Sequence, residues 1–496
     1  MSIAPAGPPV LHIPGEIGEG SGLLVDNAWR APVTGTWLDI VDPATDAVIT
    51  RVARGGAADA RLAIDAAAAA LPAWKALAGI ERGRPLRRMA DLMLRDEERL
   101  GHLMTAEQGK PIAEARGEIR YAAGFLSWSA EEATRVYGET VPAFVADKRI
   151  LVLRQPAGVA AAITPWNFPA AMITRKLGPA LAAGCTMVVK PASQTPLSAL
   201  AIGELAVEAG LPAGVFNIVT GVAGEIADVF LGDPRVRVVS FTGSNEVGKR
   251  LFAGAAANLT RLSLELGGNA PFIVFDDADL DRAVDGAIAS KFRNGGQTCI
   301  CANRFYVQSG IHDAFMDRFG AAVRALRVGS GFDPEVNVGP LIDDRAIDKV
   351  EAHIRDALER GGRVTIGGHR SAPRTGLVDR FFEPTVVDRV THDMLITSEE
   401  TFGPVAPVMR FDHEAEVIEA ANATPNGLAA YFYTRDASRL IRVAEALEFG
   451  IVGANDALPS TPQAPFGGWK ESGLGREGGK WGLEEYLDTK YLSWGL

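Results

Sequence analysis

The sequence predicts an α/β protein built from two strand–helix series, and three observations support this fold class. Short apolar strands alternate with helical runs between about residues 159 and 266. A second series of the same kind runs from Pro271 to about Asn455. Apolar strands that alternate with helices are typical of a parallel, doubly wound sheet with helices on both faces. The length of 496 residues exceeds what one simple core requires, so two or three domains are expected.

The expected elements follow the hydrophobic periodicity along the chain. An amphipathic helical region covers about Ala57–Arg135, and Lys148–Arg154 alternates as one strand of a hairpin. The predicted strands of the first series are Val159–Ile163, Met187–Val189, Phe216–Val219, Val236–Phe241 and Leu262–Leu266. The helices predicted between them include Leu197–Ala209 and Glu246–Ala257. Near the end of the chain, Lys490–Ser493 alternates as an edge strand that pairs with another element.

Composition and charge exclude several classes of function. The net charge of −11 argues against binding to nucleic acid or to anionic membrane surfaces, because both require basic patches. Three cysteines, an odd and small number, favour a reducing compartment. Residues Met1–Gly22 show neither a signal peptide nor the arginines of a transit peptide, and we expect the first 20 or so residues to be mobile. The sequence therefore predicts a cytoplasmic enzyme.

The segment Phe292–Arg304 is the most informative part of the sequence. It places Cys299 and Cys301 directly after Gly295–Gly296, where a side chain can stand exposed on irregular backbone. A thiolate is a strong nucleophile, and a carbonyl carbon is its natural target. The alternative is a small apolar cysteine in a core, which is the commoner fate of this residue. No histidine lies near this segment or the strand ends discussed next, which disfavours a Cys–His hydrolase and a zinc site, so no metal is expected.

Polar residues follow the predicted strands of the first series, where ligands of a doubly wound sheet gather. Asn167 could donate to an oxyanion, Lys190 could meet a phosphate or ribose, and Glu265 could act as a general base with a raised pKa. The turn Phe241–Gly248 opens a helix whose positive end suits a pyrophosphate. Each residue also has a structural alternative: a surface lysine, a salt-bridged glutamate, or a helix cap by Ser244.

Taken together, seven segments resemble the aldehyde dehydrogenase family over almost the full length. They are Pro165–Pro169, Lys190–Ser193, Phe241–Gly248, Glu265–Gly268, Gly296–Cys299, Glu399–Pro404 and Pro465–Gly468. Within the family, the sequence is most similar to succinate-semialdehyde dehydrogenases. That similarity rests on Phe292–Arg304 with its Cys-x-Cys, Ile173–Lys176, Lys190–Pro196, Gly427–Tyr433 and Ser472–Gly478. The loop Asn455–Pro462 departs from the pattern of those enzymes, which leaves other short semialdehydes open as substrates.

The resemblance implies a role for each matching residue. Cys299 attacks the aldehyde, while the side chain of Asn167 and the backbone N–H of Cys299 hold the oxyanion. Glu265 activates the water that hydrolyses the thioester, and Lys176 and Glu477 take part in proton relay near it. The residues implied to bind NADP or NAD are Trp166, Lys190, Ser193, Gly243, Ser244, Glu400 and Phe402. Those implied to bind a substrate carboxylate are Arg175, Arg293 and Ser460.

The resemblance also implies the domain organisation. A dinucleotide-binding domain would comprise residues 1–133 and 156–267, and a catalytic domain residues 268–470. A small β oligomerisation arm would combine residues 134–155 and 471–496, with edge strands that pair across subunits in a homodimer or homotetramer. Ser193 is neutral where many NAD-preferring relatives carry glutamate, so we expect NADP to be preferred or both cofactors to be accepted.

The implied reaction is the NAD(P)-dependent oxidation of succinic semialdehyde to succinate. Glutaric or another short semialdehyde stays open, because one methylene contributes only ~1–3 kcal/mol to discrimination. A cysteine-dependent thioester hydrolase or acyl transferase is the alternative from a different class. An inactive structural relative is a third, against which the presence of Cys299, Glu265 and Asn167 argues. A reversible disulfide between Cys299 and Cys301 is a further hypothesis, beside simple packing of Cys301.

Overall fold

The computed structural model describes residues 11–372 and 375–496, which form two large α/β sheets and three smaller sheets. The expectations about a leader in Met1–Gly22 and about mobility of the first 20 or so residues fall partly outside the described residues. Across those ranges, no single helix is long and apolar enough to cross a membrane. One bent pair, Ala57–Ala76 with Gly79–Arg95, passes that test jointly, by length and composition only.

The described chain begins with short strands followed by four helices. Strands β1–β6 span Glu16–Ile17, Gly20–Ser21, Leu23–Val25, Ala28–Arg30, Trp37–Val41 and Val48–Ala53. Helices α1–α4 span Ala57–Ala76, Gly79–Arg95, Glu97–Gln108 and Ile112–Glu132. The predicted helical region is thus confirmed but divided. One division has a clear cause, since Gly109 ends α3 in the left-handed region, at φ 91°, and Pro111 precedes α4.

The first strand–helix series follows a hairpin. The hairpin strands are β7 (Glu139–Val141) and β8 (Lys148–Pro156). The strands of the series are β9 (Val159–Ile163), β10 (Thr186–Lys190), β11 (Phe216–Ile218), β12 (Val236–Thr242) and β13 (Arg261–Glu265). Its helices are α5 (Ala171–Ala183), α6 (Leu197–Glu208), α7 (Ala223–Gly232) and α8 (Asn245–Ala255). The predicted strands are confirmed, with ends displaced by one residue at most.

The second series and the tail complete the chain. Strands β14–β21 span Ala270–Val274, Ala302–Gln308, Arg363–Ile366, Thr385–Asp388, Val405–Phe411, Asn426–Gly427, Ala429–Tyr433 and Ile451–Ala454. Helices α9–α14 span Leu280–Phe292, His312–Arg324, Asp344–Glu359, Leu395–Ser398, Glu414–Asn422 and Ala437–Ala446, and Arg293–Gly296 forms a 3₁₀ turn. The tail holds β22 (Trp469–Lys470), β23 (Gly473–Leu474), α15 (Trp481–Glu484) and β24 (Leu487–Gly495).

The first large sheet has the doubly wound arrangement that the sequence predicts. Its strand order is β23-β13-β12-β9-β10-β11-β3-β4, and β13, β12, β9, β10 and β11 are parallel. Alternate residues of β9 enter different cores, since Ala160 and Ala162 belong to one apolar cluster and Val159, Ala161 and Ile163 to another. Burial on both faces explains why these strands are continuously apolar.

The second large sheet has the order β16-β17-β18-β15-β14-β20-β21 and is parallel except for β16. The second α/β series is therefore confirmed between Ala270 and Ala454. The carboxyl end of β9 in the first large sheet meets the loop that leads into the amino end of β15 in the second. Asn167, which follows β9, donates a hydrogen bond from Nδ2 to the carbonyl of Gln297, which precedes β15, at 3.0 Å.

The tail divides between two sheets. Strand β24 pairs antiparallel with β8 of the same chain, from Leu487 opposite Pro156 to Gly495 opposite Lys148, which confirms the predicted edge strand. Strand β23 instead pairs with β13 of the first large sheet, although the expected arm includes it. Gly473 permits this approach at φ 147°, because a Cβ there would lie 2.0 Å from the carbonyl oxygen of Leu264. The pairing of arm strands between subunits stays a prediction.

Candidate active site

Cys299 lies at a cavity of about 340 Å³ between the two large sheets. The residues that line the cavity with it include Tyr121, Met172, Arg175, Arg293, Ser460 and Phe466. The backbone before Cys299 is irregular because Gly295 and Gly296 have φ values of 61° and 76°. A Cβ at Gly296 would lie 2.2 Å from the carbonyl oxygen of Gly403, so this tight loop requires glycine. The prediction that this segment presents a cysteine on irregular backbone is confirmed.

The surroundings of the Cys299 thiol favour its protonated form. Burial raises its pKa to about 12, and the negative charge of Glu400 adds to this effect. The guanidinium of Arg175 opposes the shift. Because only the thiolate is a strong nucleophile, this thiol would have to lose its proton before it could attack a carbonyl carbon.

Two hydrogen-bond donors lie beside Cys299. Asn167 is 4% exposed, and the one hydrogen bond from its Nδ2 to Gln297 leaves the second hydrogen of the amide free. The backbone N–H of Cys299 makes no hydrogen bond within residues 11–372 and 375–496. The two groups could therefore donate together to an oxygen that develops negative charge at the sulfur.

Glu265 is a buried carboxyl group whose two oxygens have no hydrogen-bond partner in the described part of the chain. Glu265 is the last residue of β13 and is only 2% exposed. Burial is the main cause that raises its pKa well above the usual range, and the charge of Glu477 raises it further, while Lys176 and Arg175 lower it. The direction of the pKa shift is the one expected for Glu265, and the salt-bridged alternative is not observed among the described residues; its role as a general base stays a prediction.

Lys176 and Glu477 form a hydrogen-bonded ion pair beside Glu265. Lys176 also donates to the hydroxyl of Thr242 at 2.7 Å, and both members of the pair are buried. Helix α5 supplies Lys176, and the tail after β23 supplies Glu477. The structure therefore brings together the three residues that the resemblance associates with proton relay.

The two arginines at the cavity differ in their partners. Nε of Arg175 lies 2.8 Å from Oε2 of Glu477, at an angle that does not make a hydrogen bond, and its guanidinium packs 4.0 Å from the ring centroid of Phe466. Arg293 makes no ion pair within the described residues and packs 5.5 Å from the ring centroid of Phe168. The structural ion pair considered as an alternative is thus present for Arg175 only. Arg293 is the guanidinium available to an anion.

Ser460 lies at the cavity and shares a hydrogen bond of 2.5 Å with the hydroxyl of Tyr121. Sequence reasoning did not identify Tyr121. Its helix α4 lines the cavity with Glu114, Gly117, Glu118 and Tyr121, a spacing of three and four residues that marks one helix face. That spacing is visible in the sequence, but only the structure shows that this face meets the catalytic loop.

The carboxyl ends of β10, β12 and β13 carry groups that fit a dinucleotide. Lys190 is 3% exposed and has no ion pair within the described residues, and burial lowers its pKa to about 8. Gly243 leaves room at the first turn, since a Cβ there would lie 2.4 Å from the Phe241 ring. Ser244 caps α8 by accepting from the Val247 amide at 3.4 Å, so its capping alternative is also observed. Ser193 donates to the Gly221 carbonyl at 3.2 Å.

The nicotinamide side of the expected cofactor site contains Trp166, Glu400 and Phe402. The rings of Trp166 and Phe402 pack edge to face at 5.6 Å between centroids. One oxygen of Glu400 is buried and has no partner among residues 11–372 and 375–496, and burial raises the pKa of this carboxyl to about 8. An unpartnered acceptor here and an unpaired ammonium at Lys190 match the hydroxyl and phosphate groups of NADP or NAD.

Cys301 points away from the cavity into the core. It is 1% exposed, its Sγ lies 3.3 Å from the Gly296 carbonyl, and Lys291 Nζ lies 3.5 Å from the sulfur. Cys185, Cys299 and Cys301 are free thiols, so the reversible disulfide stays a prediction. Within residues 11–372 and 375–496, no three His, Cys, Asp or Glu side chains gather as a metal-ligand set.

Comparison with known proteins identifies the family. The profile of the aldehyde dehydrogenase family matches residues 29–492. The chain is 57% identical to the NADP(+)-dependent succinate-semialdehyde dehydrogenase GabD of Escherichia coli over 473 residues, which cover 95% of this chain and 97% of that protein. It is 58% identical to the glutarate-semialdehyde dehydrogenase of Pseudomonas aeruginosa over 471 residues, 95% of this chain and 97% of that protein.

A solved structure agrees with both the fold and the family. The succinate-semialdehyde dehydrogenase of Burkholderia pseudomallei superimposes with a TM-score of 0.94 at 52% identity, and the match covers 96% of this chain and 98% of that one. The predicted α/β fold with its doubly wound sheet is therefore confirmed. With a family profile that spans most of its length, this chain belongs to the aldehyde dehydrogenase family.

Proposed function

We propose that this protein oxidises succinic semialdehyde to succinate, with NADP preferred over NAD. The observation that carries the proposal is that Cys299 shares a cavity of about 340 Å³ with the guanidinium of Arg293, which has no ion-pair partner in the described part of the chain. A buried or half-buried cation without a partner is costly unless an anion arrives to pair with it. An aldehyde that carries its own carboxylate supplies this anion, and the cavity is small enough for a short chain.

Cys299 is the proposed nucleophile. Its thiol gives up its proton to solvent, its sulfur bonds to the aldehyde carbon, and the aldehyde oxygen takes the negative charge of the thiohemiacetal. Asn167 Nδ2, which contacts the catalytic loop at Gln297, and the Cys299 backbone N–H are proposed to stabilise that oxygen, because each keeps a hydrogen without a partner among the described residues. When bound, NADP or NAD supplies the hydride acceptor that turns the thiohemiacetal into a thioester. Lys190, Ser193, Gly243, Ser244, Trp166, Glu400 and Phe402 are proposed to hold it.

Glu265 is the proposed base of the second half-reaction. Its carboxylate takes a proton from water, whose oxygen attacks the thioester carbon and releases the acid and the Cys299 sulfur. The pKa of Glu265, raised mainly by burial, makes it a stronger base than an exposed carboxylate once it is ionised. Lys176 and Glu477 lie beside it and offer a path for the proton.

The proposed carboxylate site consists of Arg293, Ser460 and Arg175. Arg293 carries most of the charge recognition, because Arg175 already faces Glu477. Ser460 contributes a hydroxyl that Tyr121 orients. Glutaric semialdehyde is the second candidate substrate, favoured by the 58% identity to a glutarate-semialdehyde dehydrogenase. One methylene separates the two substrates and contributes about 1–3 kcal/mol of discrimination.

We also propose how the protein assembles and where in the cell it is located. We infer that the β24-β8-β7 sheet, residues 134–155 with the strand at 487–495, serves as the oligomerisation arm of a homodimer or homotetramer. The remaining parts are proposed to be a dinucleotide-binding domain around the first large sheet and a catalytic domain around the second. Light scattering of the purified protein and cell fractionation test the oligomer and the expected cytoplasmic location.

A substrate panel tests the proposed function. Malonic, succinic and glutaric semialdehyde and butanal are each offered with NADP and with NAD, and formation of reduced cofactor is followed by absorbance. The highest kcat/KM is expected for succinic semialdehyde with NADP. Equal activity toward butanal would refute the carboxylate site. No reduced cofactor with any aldehyde, together with hydrolysis of an added succinyl thioester, would support the thioester hydrolase instead.

A further inference from the structure

A fully buried ion pair lies next to the active site and takes no part in the chemistry proposed above. Lys110, after α3, and Glu118, in α4, are both buried, and Lys110 Nζ donates to Oε2 of Glu118 at 2.6 Å. Two charges removed from water to this degree are costly unless all their hydrogen-bonding groups are satisfied. The contacts that satisfy this pair lead to the loop that carries Asn167.

Lys110 holds the backbone of Asn167. Its ammonium donates to the Asn167 carbonyl at 2.7 Å and lies 4.1 Å from the ring centroid of Phe168. Carboxylate, carbonyl and aromatic face thus account for the three hydrogens of the ammonium. Asn294 Nδ2 is a second donor to the same Asn167 carbonyl, at 3.0 Å. Two side chains from distant parts of the sequence, Lys110 and Asn294, therefore converge on one peptide group.

Glu118 holds the segment that follows Asn167. Its Oε1 accepts from the amides of Ala170 and Ala171 at 2.9 and 3.2 Å, where α5 begins. A carboxylate at these amides caps the helix and suits its positive end. The Lys110–Glu118 pair therefore fixes the chain both at Asn167 and three to four residues after it.

The backbone of Asn167 determines where its side-chain amide points. With the peptide fixed, Nδ2 reaches the Gln297 carbonyl on the catalytic loop and keeps one hydrogen for the oxyanion. The other side of the loop is held by the same helix α4, because Glu114 accepts the Asn294 amide at 2.8 Å. The donor and the nucleophile thus have a common support.

We propose that Lys110 and Glu118 are positioning residues that act on the reaction through Asn167. Glu118 lines the cavity, but in this account neither residue contacts the sulfur or the reacting carbon; both keep the amide of Asn167 aimed at the forming oxyanion. The inference rests on the proposed function, in which Asn167 is an oxyanion donor. Catalytic donors tolerate little displacement, since small errors of position cost about tenfold or more in rate.

A double-mutant cycle tests the proposal on the full-length enzyme. Lys110→Met, Asn167→Ala and the double variant are compared for kcat, KM and NADP affinity, with the aldehyde that the wild type oxidises best. We expect Asn167→Ala to lower kcat about 100-fold and Lys110→Met about tenfold, with KM and NADP affinity changed less than about threefold. In the Asn167→Ala background, Lys110→Met should lower kcat by less than about twofold, because the side-chain amide through which Lys110 acts is already absent.

Equal factors for Lys110→Met in both backgrounds would overturn the proposal, since independent effects multiply. An unaffected kcat in Asn167→Ala would remove the oxyanion role itself, and the inference with it. If Lys110→Met does not fold, Glu118→Gln takes its place in the same cycle with the same expected pattern. If the enzyme does not oxidise succinic semialdehyde but oxidises another aldehyde, only the proposed substrate is wrong. The double-mutant cycle can still be measured with that other aldehyde.

Glu107 provides a matched control. Like Glu118, it is buried and accepts two amides at a helix start, those of Leu197 and Ser198 at 2.6 and 2.8 Å, but on α6. Glu107→Gln should lower the melting temperature and leave kcat per folded enzyme within about twofold. A loss of kcat in Glu107→Gln equal to that in Lys110→Met would show general destabilisation and contradict a positioning role.

Discussion

The ammonium of Lys176 donates a hydrogen bond to the carboxylate of Glu477, and this pair lies beside the unpartnered carboxyl of Glu265. Lys176 and Glu477 shift the pKa of Glu265 in opposite directions. Lys176 lowers the pKa of Glu265 and Glu477 raises it, while burial raises it most. A carboxyl held protonated in this way acts as a base only after it loses its proton, so the second half-reaction depends on pH.

Glu265→Gln should separate the two half-reactions. Glutamine cannot accept the proton of water, so steady turnover should fall at least about 100-fold while one equivalent of reduced cofactor still forms rapidly. Stopped-flow absorbance measures this burst. In the wild type, the steady rate should rise with pH until Glu265 is ionised, and in Glu265→Gln this rise should be absent. Wild-type turnover in the variant would remove the role of Glu265.

Cys299→Ala should abolish aldehyde oxidation, because covalent catalysis requires the sulfur itself. The loss should exceed about 1,000-fold, while the melting temperature and NADP binding stay close to the wild type. Cys301→Ala is the matched control, since its sulfur points into the core beside Lys291. It should keep activity within about threefold, with a small loss of stability. Substantial oxidation by Cys299→Ala would refute the mechanism.

Arg293→Ala and Arg175→Ala should differ in their effect on substrate choice. Loss of the free guanidinium of Arg293 should raise KM for succinic semialdehyde about 10- to 100-fold and leave butanal nearly unchanged, because one charge-assisted contact is lost. Arg175→Ala removes a neighbour of Glu477 as well and should slow both aldehydes. Kinetics with both substrates check this. Equal losses for both aldehydes in Arg293→Ala would make that arginine structural.

Ser193→Glu should shift preference from NADP towards NAD. A carboxylate at this position repels the 2′-phosphate of NADP and can accept from the ribose hydroxyls of NAD, a difference of roughly 1–2 kcal/mol or about tenfold. The ratio of kcat/KM for the two cofactors measures it. Ser193→Gln, similar in size and neutral, is the control and should change the ratio less than threefold. A wild type that strongly prefers NAD would contradict the cofactor assignment.

Glu400 should make stability depend on pH. Burial raises its pKa in the folded protein to about 8, above the value in an unfolded chain. Below the pKa of the unfolded chain, Glu400 is protonated in both states, and the fold keeps its full stability. That stability is lost as pH rises through about 8, because the unfolded chain ionises more readily than the buried carboxyl group. Glu400→Gln does not ionise and should gain melting temperature relative to the wild type as pH rises. If the difference in melting temperature between Glu400→Gln and the wild type stays constant as pH rises through about 8, the raised pKa is contradicted.

The sequence predicted the parts of the fold that depend on local pattern. Continuous apolar runs such as Val159–Ile163 lie in the parallel sheet because both faces of each strand are buried. The partner of Lys490–Ser493 was not predictable, because an alternating strand does not specify what it pairs with. The pairing of Gly473–Leu474 with the first large sheet was missed because strand β23 is only two residues long, which is too short to show a hydrophobic periodicity.

The candidate site was predictable where one residue type fits one chemical step. Cys299, Glu265 and Asn167 lie together at the meeting point of the two sheets. The pairing of Arg175 with Glu477 was not predictable, because the two residues lie far apart in the chain and meet only when the tail folds back. Lys110 and Glu118 were missed because a lysine and a glutamate near a helix start usually face solvent.

Trapping the acyl-enzyme tests the central claim most directly. The Glu265→Gln variant is mixed with succinic semialdehyde and NADP, quenched in acid, digested and examined by peptide mass spectrometry, with butanal and the Cys299→Ala variant as controls. The account predicts a succinyl thioester on Cys299, formed in step with one equivalent of reduced cofactor per site. No adduct, or an adduct on Cys301 with Cys299 unmodified, would contradict it.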